Sequence, residues 1–327
     1  MKLSRVKLMG IFFLAVILAV PAWAARTDAY SALPGTLNYV EGQVAIGDET
    51  LNAKSIGSAQ LQPGQTLTTA NGKAEMLLTP GVFLRLDSNS SVKMISPGLI
   101  DTRVALPQGR AMIEVAEFHP QNNLQVTADG ATARLLKTGL YDFDAAGDQF
   151  RVFDGKAVVQ QGDQQVTVKG GHEVDLSPDV KLKAKGFDKK ALAGDDLYRW
   201  SSLRSSYLAE ANVDAARVYV ANGWYGPGWF GGGWYWDPWF GGYTFIPGSG
   251  ILYSPFGWGF YSPLLVYRSP FFYSGHYYRT FGPGYRSPYV GIRPGFRGPA
   301  GGFHGGGGAP RGFGEPGGGF HGGVGRR

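Results

Sequence analysis

Cysteine is absent from the 327-residue chain, which excludes disulfide staples, thiolate zinc sites, a thiol nucleophile and a lipid-modified N-terminal cysteine. The folded part must therefore hold together by packing alone. Catalytic signatures are also missing: there is no Gly-x-Ser-x-Gly elbow, no phosphate-loop pattern and no His-Glu-x-x-His pair. Long apolar runs are equally scarce. The best, Leu8 to Val20, is 13 residues, against roughly 20 needed to span a bilayer.

That run has another meaning. Lys2, Arg5 and Lys7 precede it, and Ala22-Trp23-Ala24 follows it with small residues at the positions signal peptidase reads. The pattern predicts a signal peptide over 1–24 and a periplasmic or extracellular mature protein.

Composition divides what remains. Residues 26–217 hold 12 aromatics and 18 glycines, whereas 218–327 hold 30 and 32, so a globular block gives way to a tail at Val218. Charge follows the same line. The block has 20 basic and 23 acidic residues, and the tail has 8 and 2. All eight tail cations are arginines, which stack on rings and grip anions bidentately. On a secreted chain that favours an anionic or polysaccharide envelope polymer, an envelope protein or a membrane surface over nucleic acid.

The block reads as mainly β. Runs such as Leu37 to Ile46, Ala74 to Leu78, Val82 to Leu86, Ala111 to Val115, Leu124 to Thr127 and Gln165 to Val168 are separated by Pro-Gly, Asn-Gly and Asp-Gly pairs. No helical period competes before residue 190. Gly42, Gly72, Gly109 and Gly155 each stand just before such a run, where glycine permits a reversal of the chain. Their uneven spacing argues against a regular solenoid. The expected architecture is a compact β-roll or two-sheet sandwich of short hairpins over 25–187, with its core at 37–176. One α-helix and a largely irregular, disordered tail follow.

Several phrases resemble the FecR domain family: Tyr39-Val40-Glu41-Gly42-Gln43-Val44, Leu61 to Thr69, Ala74 to Leu78, Gly81 to Leu86, Leu106-Pro107-Gln108-Gly109, Val126-Thr127, Lys137 to Phe143, and Asp154 to Val159. Leu140 departs from the family pattern, in which Thr-Glu or Thr-Phe more often leads that strand. The resemblance implies a periplasmic β-domain that binds a protein or polymer. Signalling members of the family resemble regulators with a cytoplasmic sigma-factor-binding segment. Only seven residues precede the apolar run here, so direct sigma-factor control is not expected. An accessory sensor acting through a separate transmembrane regulator, as in iron-siderophore-type signalling, is the alternative.

Residues 188–217 carry a helical period. Leu197, Trp200, Leu203, Tyr207, Leu208 and Ala211 recur at three- and four-residue steps, and Asp195 and Asp196 sit where carboxylates favour a helix start. The prediction is a helix from Asp195 to Arg217 that packs back onto the β-domain.

The tail has two parts. Residues 218–289 contain 26 aromatics among 72 positions, and Tyr243 to Ile246 with Ile251 to Ser254 reads as a hairpin around Pro247-Gly248-Ser249-Gly250. Residues 290–327 contain 17 glycines among 38 and too little apolar surface to offset ordering costs of ~1–2 kcal/mol per residue. Similar aromatic tails follow FecR-like domains in other secreted bacterial proteins, a looser resemblance. Surface-binding candidates are Trp224, Tyr225, Trp229, Trp234, Tyr235, Trp236, Trp239, Arg268 and Arg279, whose rings and guanidinium groups suit sugar faces, a membrane interface or self-association. An inert spacer is the competing reading.

Other chemistry is thin. Phe296-Arg297-Gly298 and Arg311-Gly312-Phe313 imitate RNA-binding segments, but the signal peptide argues against that partner. His304 and His321 sit in duplicated Gly-Gly-Phe-His-Gly-Gly phrases and read as low-complexity sequence rather than metal ligands. His119, His172 and His276 make no motif, and Asp142 with Asp144 reads as a solvated strand edge. Neither a catalytic site, a metal nor a cofactor is expected.

Overall fold

A computed structural model describes residues 32–221 and 231–268. Fifteen strands form one continuous sheet: β1 (Leu37–Ile46), β2 (Glu49–Thr50), β3 (Thr66–Leu77), β4 (Val82–Leu86), β5 (Ser91–Pro97), β6 (Asp101–Gln108), β7 (Arg110–Val115), β8 (Asn123–Ala128), β9 (Ala131–Leu135), β10 (Gly139–Asp144), β11 (Gln149–Asp154), β12 (Lys156–Gln161), β13 (Gln164–Lys169), β14 (His172–Asp175) and β15 (Lys185–Gly186). A short helix α1 (Lys189–Leu192) and the long α2 (Asp196–Ala221) follow. Two small hairpins, β16 (Gly233–Asp237) with β17 (Gly242–Ile246) and β18 (Ile251–Tyr253) with β19 (Gly259–Tyr261), precede α3 (Pro263–Arg268).

The strand order β13-β12-β9-β8-β6-β5-β3-β4-β7-β10-β11-β14-β15 runs from one layer of a roll to the other. Val159 and Val168 from one end of that order share a core with Phe150 and Val174 from the other, so the sheet closes over its own apolar face. Strands β1 and β3 belong to both layers. In β3, Thr66–Thr68 pair with β5 whereas Ala74–Leu77 pair with β4. The layer containing β5, β6, β8, β9, β12 and β13 is called the open layer below, and the layer containing β4, β7, β10, β11 and β14 the covered layer.

The recurrent glycines are not the hairpin turns expected of them. Gly42 faces Gly72 inside the β1–β3 ladder, next to a register shift, and a Cβ on Gly42 would collide with the Asn71 carbonyl oxygen. Its φ of +67° is one that L side chains resist. Gly109 joins β6 of the open layer to β7 of the covered layer, and Gly155 joins β11 to β12 in the opposite sense. All four therefore lie where a strand crosses between layers. The repeated phrase marks corners of the roll, which periodicity alone does not distinguish from reversals.

Helix α2 begins at Asp196, with the Asp195 carboxylate accepting from the Tyr198 amide, and it ends four residues beyond the expected Arg217. No helix among the described residues is long and apolar enough to cross a membrane. The expected hairpin of 243–246 with 251–254 does not form. Instead Tyr243–Ile246 pairs backward with Gly233–Asp237, and Ile251–Tyr253 pairs forward with Gly259–Tyr261. Residues 290–327 and the signal segment lie outside the described residues.

Candidate functional site

The outer face of the covered layer is the unusual surface of this molecule. Strands buried on both sides lose the polar–apolar alternation of a one-sided sheet, and all five residues of β4, Val-Phe-Leu-Arg-Leu, are buried. Val82, Leu84 and Leu86 join the roll core, whereas Phe83 packs outward against Trp234 and Phe260. Arg85 points to the same outer side, where α2 and the two hairpins close over it.

Four charges are sealed there. Arg85 Nε donates to Glu75 Oε2 at 2.8 Å and its Nη1 to Glu114 Oε2 at 2.6 Å. From α2, Arg204 Nη2 donates to Glu75 Oε1 at 2.8 Å and Ser205 Oγ to Glu114 Oε1 at 2.8 Å. Two carboxylates and two guanidinium groups balance. Burial pushes the Glu75 carboxyl up, but the adjacent Arg204 and Arg85 outweigh it and hold the pKa below its ordinary value. Arg85 shifts upward for the matching reason, as Glu114 and Glu75 overcome the burial that disfavours its charge.

The expected helix stripe is consequently displaced. Leu197, Leu208 and Ala211 are buried as anticipated, but Leu203 is 45 % exposed and Ser201, Arg204, Ser205 and Asn212 turn inward. A sheet face that carries charge needs polar partners, so the helix presents its polar residues to the protein.

Side-chain amides fix the hairpins. Asn38 Nδ2 donates to Glu75 Oε1 and to the Tyr243 carbonyl, and its Oδ1 accepts from the Tyr243 amide at 2.7 Å. Asn212 of α2 links the two hairpins, donating to the Phe245 carbonyl of β17 and the Tyr261 carbonyl of β19 and accepting from the Tyr261 amide.

Where these parts meet, rings reach the surface. The Arg204 guanidinium lies 4.0 Å from the Tyr39 ring centroid and 5.1 Å from that of Phe240, and Tyr39 leans on Trp200 with centroids 6.1 Å apart. Trp236 packs edge-on to Tyr243 and against Gly57, where a Cβ would come within 2.6 Å of the indole. The Asp237 carboxylate accepts from the Trp239 and Phe240 amides, which holds the tip of the hairpin so that Trp239 stands 84 % exposed. The result is an aromatic seam along β1, α2 and the β16–β17 hairpin.

The candidate residues fare differently within it. Trp236, at 42 % exposure, and Trp239 belong to the seam. Trp234 is 5 % exposed and sits in the core between Phe83 and Phe245, so its expected surface role gives way to packing. Tyr235 is half-buried on the opposite hairpin face against Tyr219 of α2. Burial, chiefly, and the neighbouring Tyr219 raise its hydroxyl pKa. Arg268 is exposed at the end of α3, away from the seam hairpin in sequence. Trp224, Tyr225, Trp229 and Arg279 lie outside the described residues. Sequence reasoning missed Tyr39, Arg204 and Phe240, because nothing in a ring count says which rings a distant arginine will bridge.

Asp142 is not a solvated edge. It is fully buried and gripped by Arg110 through two contacts of 2.8 and 3.0 Å and by Arg151 at 3.0 Å. Arg110 also reaches Asp195 at the start of α2, and Lys73 bridges Asp87 and Asp196. Both contacts tie the helix N-terminus to the sheet.

The family model described as FecR protein matches residues 65–163, from the start of β3 to the β12–β13 turn. Two crystal structures of a candidate anti-sigma factor from Parabacteroides distasonis are similar at 12 and 13 % identity, with TM-scores of 0.35 and 0.34. Each likeness covers 39 % of this chain, which spans 62 and 63 % of those proteins. No match was found among curated proteins. The family match stops well short of α2 and the hairpins.

Proposed function

From the premise that this chain carries a FecR domain, we propose that it is a non-enzymatic binding protein of the cell envelope. Residues 1–24 direct it across the inner membrane, and its aromatic seam contacts an envelope polymer or protein. The observation that carries this reading is the seam itself. Trp236 and Trp239 are held on a hairpin clamped by Asn38 and Asp237, so the rings are pre-positioned and little ordering cost remains at binding. Exposed, fixed indoles suit the apolar faces of sugars and wet interfaces. Two buried acids of the covered layer are taken up in ion pairs, Asp142 by two arginines and Glu75 by two more, so neither is free for acid–base chemistry.

Replacing Trp236 and Trp239 together by Ala tests this. At ~0.5–1.5 kcal/mol per stacked ring, retention of the protein on a purified envelope fraction should weaken at least about fivefold, measured well below the melting temperature because Trp236 also packs on Tyr243 and Gly57. Undiminished retention would discard the seam as the contact surface.

A second reading, an accessory sensor that passes an envelope signal to a separate transmembrane regulator, is favoured by the match to the FecR family. Crosslinking in intact envelopes separates the two. Capture of a membrane-spanning regulator supports the sensor, and capture of polymer alone supports the binding protein.

A further inference from the structure

The roll has a second surface whose charge is at odds with the domain that bears it. In the open layer the outward residues follow from the ladders. Arg103 pairs with Gln125, Gln125 with Arg134, Arg134 with Val158, and Val158 with Thr167, so these side chains share one face and the intervening Val104, Val126, Ala133 and Val159 enter the core. The next row, Lys93, Ala105, Thr127, Thr132, Gln160 and Gln165, lies on the same side. On the other side of the first row, two residues from Val158 and Thr167, Lys156 and Lys169 face each other. The face thus carries Lys93, Arg103, Arg134, Lys156 and Lys169. Its carboxylate is Asp101, already held by Arg103 at 3.1 Å and by Asn123 at 2.8 Å.

This contrasts with the sequence around it, for residues 26–217 have more acids than bases. Among the described residues no carboxylate pairs with Lys93, Arg134, Lys156 or Lys169, whereas the arginines of the covered layer are all engaged. Between the cations, Asn123, Gln125, Thr132, Gln160 and Gln165 line a shallow concavity of about 310 Å³ with Val158 among them. Amides and hydroxyls there can both donate and accept.

We propose that the outer face of the open layer is a binding platform for an acidic polysaccharide. Its carboxylates would meet Arg134 and the flanking lysines, and its hydroxyls the amide and threonine side chains. Cross-strand neighbours stand about 4.8 Å apart, so a chain laid across β8, β9, β12 and β13 meets a new polar group at each strand. The occupant follows from charge and polarity. Within this concavity there is no ring on which a nucleic-acid base could stack, and the exposed apolar residues of the layer, Ile95, Leu99 and Ile100, lie on β5 and the β5–β6 turn, outside it. The chain's own residues 269–327 bring arginines and a lone acid, Glu315, and would be repelled. This platform is separate from the aromatic seam, and the inference does not depend on it.

The test uses the full mature chain and alginate as a carboxylate-bearing glycan, with neutral dextran, duplex DNA and anionic phospholipid vesicles alongside. Alginate should bind, dextran should not, and affinity should fall steeply with added salt. The triple variant Arg134→Gln, Lys156→Gln, Lys169→Gln should lose at least tenfold in alginate affinity, and the single charge reversal Arg134→Glu should lose several-fold. Both changes are on the surface, and unchanged melting temperatures would confirm an intact fold. The control Lys54→Gln, Lys190→Gln, which removes two exposed lysines off this face, should bind alginate as the parent does. The proposal is overturned if alginate fails to bind, if the charge variants bind it equally well, or if the control loses it to the same extent. Equal or tighter retention on DNA or vesicles would overturn the glycan as occupant.

Discussion

Arg204 illustrates how much one side chain settles here. It supplies half of the positive charge sealed against Glu75 and Glu114, and its guanidinium fills the space between Tyr39 and Phe240. Removing one partner of a buried ion pair costs about 3–5 kcal/mol, because the remaining charge stays out of water without compensation. Arg204→Ala is therefore expected to lower unfolding stability by about that amount, measured by urea titration. Arg204→Lys should fall between, keeping the charge but losing the planar stack. A loss within experimental error for Arg204→Ala would mean that the network is solvated and not sealed. The residue was invisible as a core residue in the sequence. An arginine in a helix reads as a solvated position, and Val-Phe-Leu-Arg-Leu reads as a strand with one wet face. Each hides the other, since the sheet's charges are buried by a helix 129 positions away.

At the scale of elements, α2 is bound to the sheet by charge at both the Glu75–Glu114 face and its own N-terminus, which gives its docking a pH dependence of definite sign. The folded-state pKa of Glu75 lies below its ordinary value of 4.5. A depressed carboxyl contributes stability that is fully present above the unfolded value and lost as pH falls through the folded one. Asp195, opposed by burial but lowered by its hydrogen bond to Arg110, acts in the same direction. The stability contributed by these two groups should thus be flat from neutrality to about pH 5 and decline below the ordinary carboxyl value. Glu75→Gln should flatten that decline while lowering stability at neutral pH. Tryptophan fluorescence against pH checks it, and a midpoint above pH 5 for the parent would contradict it. The elements themselves were legible to different degrees. Strands β1 and β4 match the sequence reading end to end, because apolar alternation and flanking turns are local. Helix α2 was placed within a few residues for the same reason. The partners of Tyr243–Ile246 were not. The run can pair with the strand on either side, and what selects the earlier one is Asn38 and Phe83, both far away in the chain.

For the molecule as a whole, the boundary at Val218 separates compositions and not folding units. Leu77, Phe83, Met112, Leu140 and Phe153 lie on the outer side of the covered layer, and their buried neighbours include Leu197, Leu208, Trp234, Phe245, Phe256 and Phe260. Fully burying such a side chain is worth ~1.5–3 kcal/mol, so five of them amount to about 10 kcal/mol before any loss to chain ordering. That is comparable with the whole stability of a typical domain, ~5–15 kcal/mol. A chain ending at residue 187 keeps all of the FecR match but strips this face. It should therefore melt far lower than a chain spanning 32–268, or self-associate through the apolar surface it exposes. Thermal melts with sedimentation analysis distinguish these outcomes from the opposing one, a monomeric 32–187 fragment with the stability of the longer chain. In that case the aromatic hairpins would be an appendage. If the fragment fails, the aromatic composition of the described residues after Val218 has a structural explanation: Trp234, Tyr243, Phe245, Phe256 and Phe260 are buried in the clusters that cover the sheet, whereas Trp236, Trp239, Tyr253 and Tyr267 stay exposed.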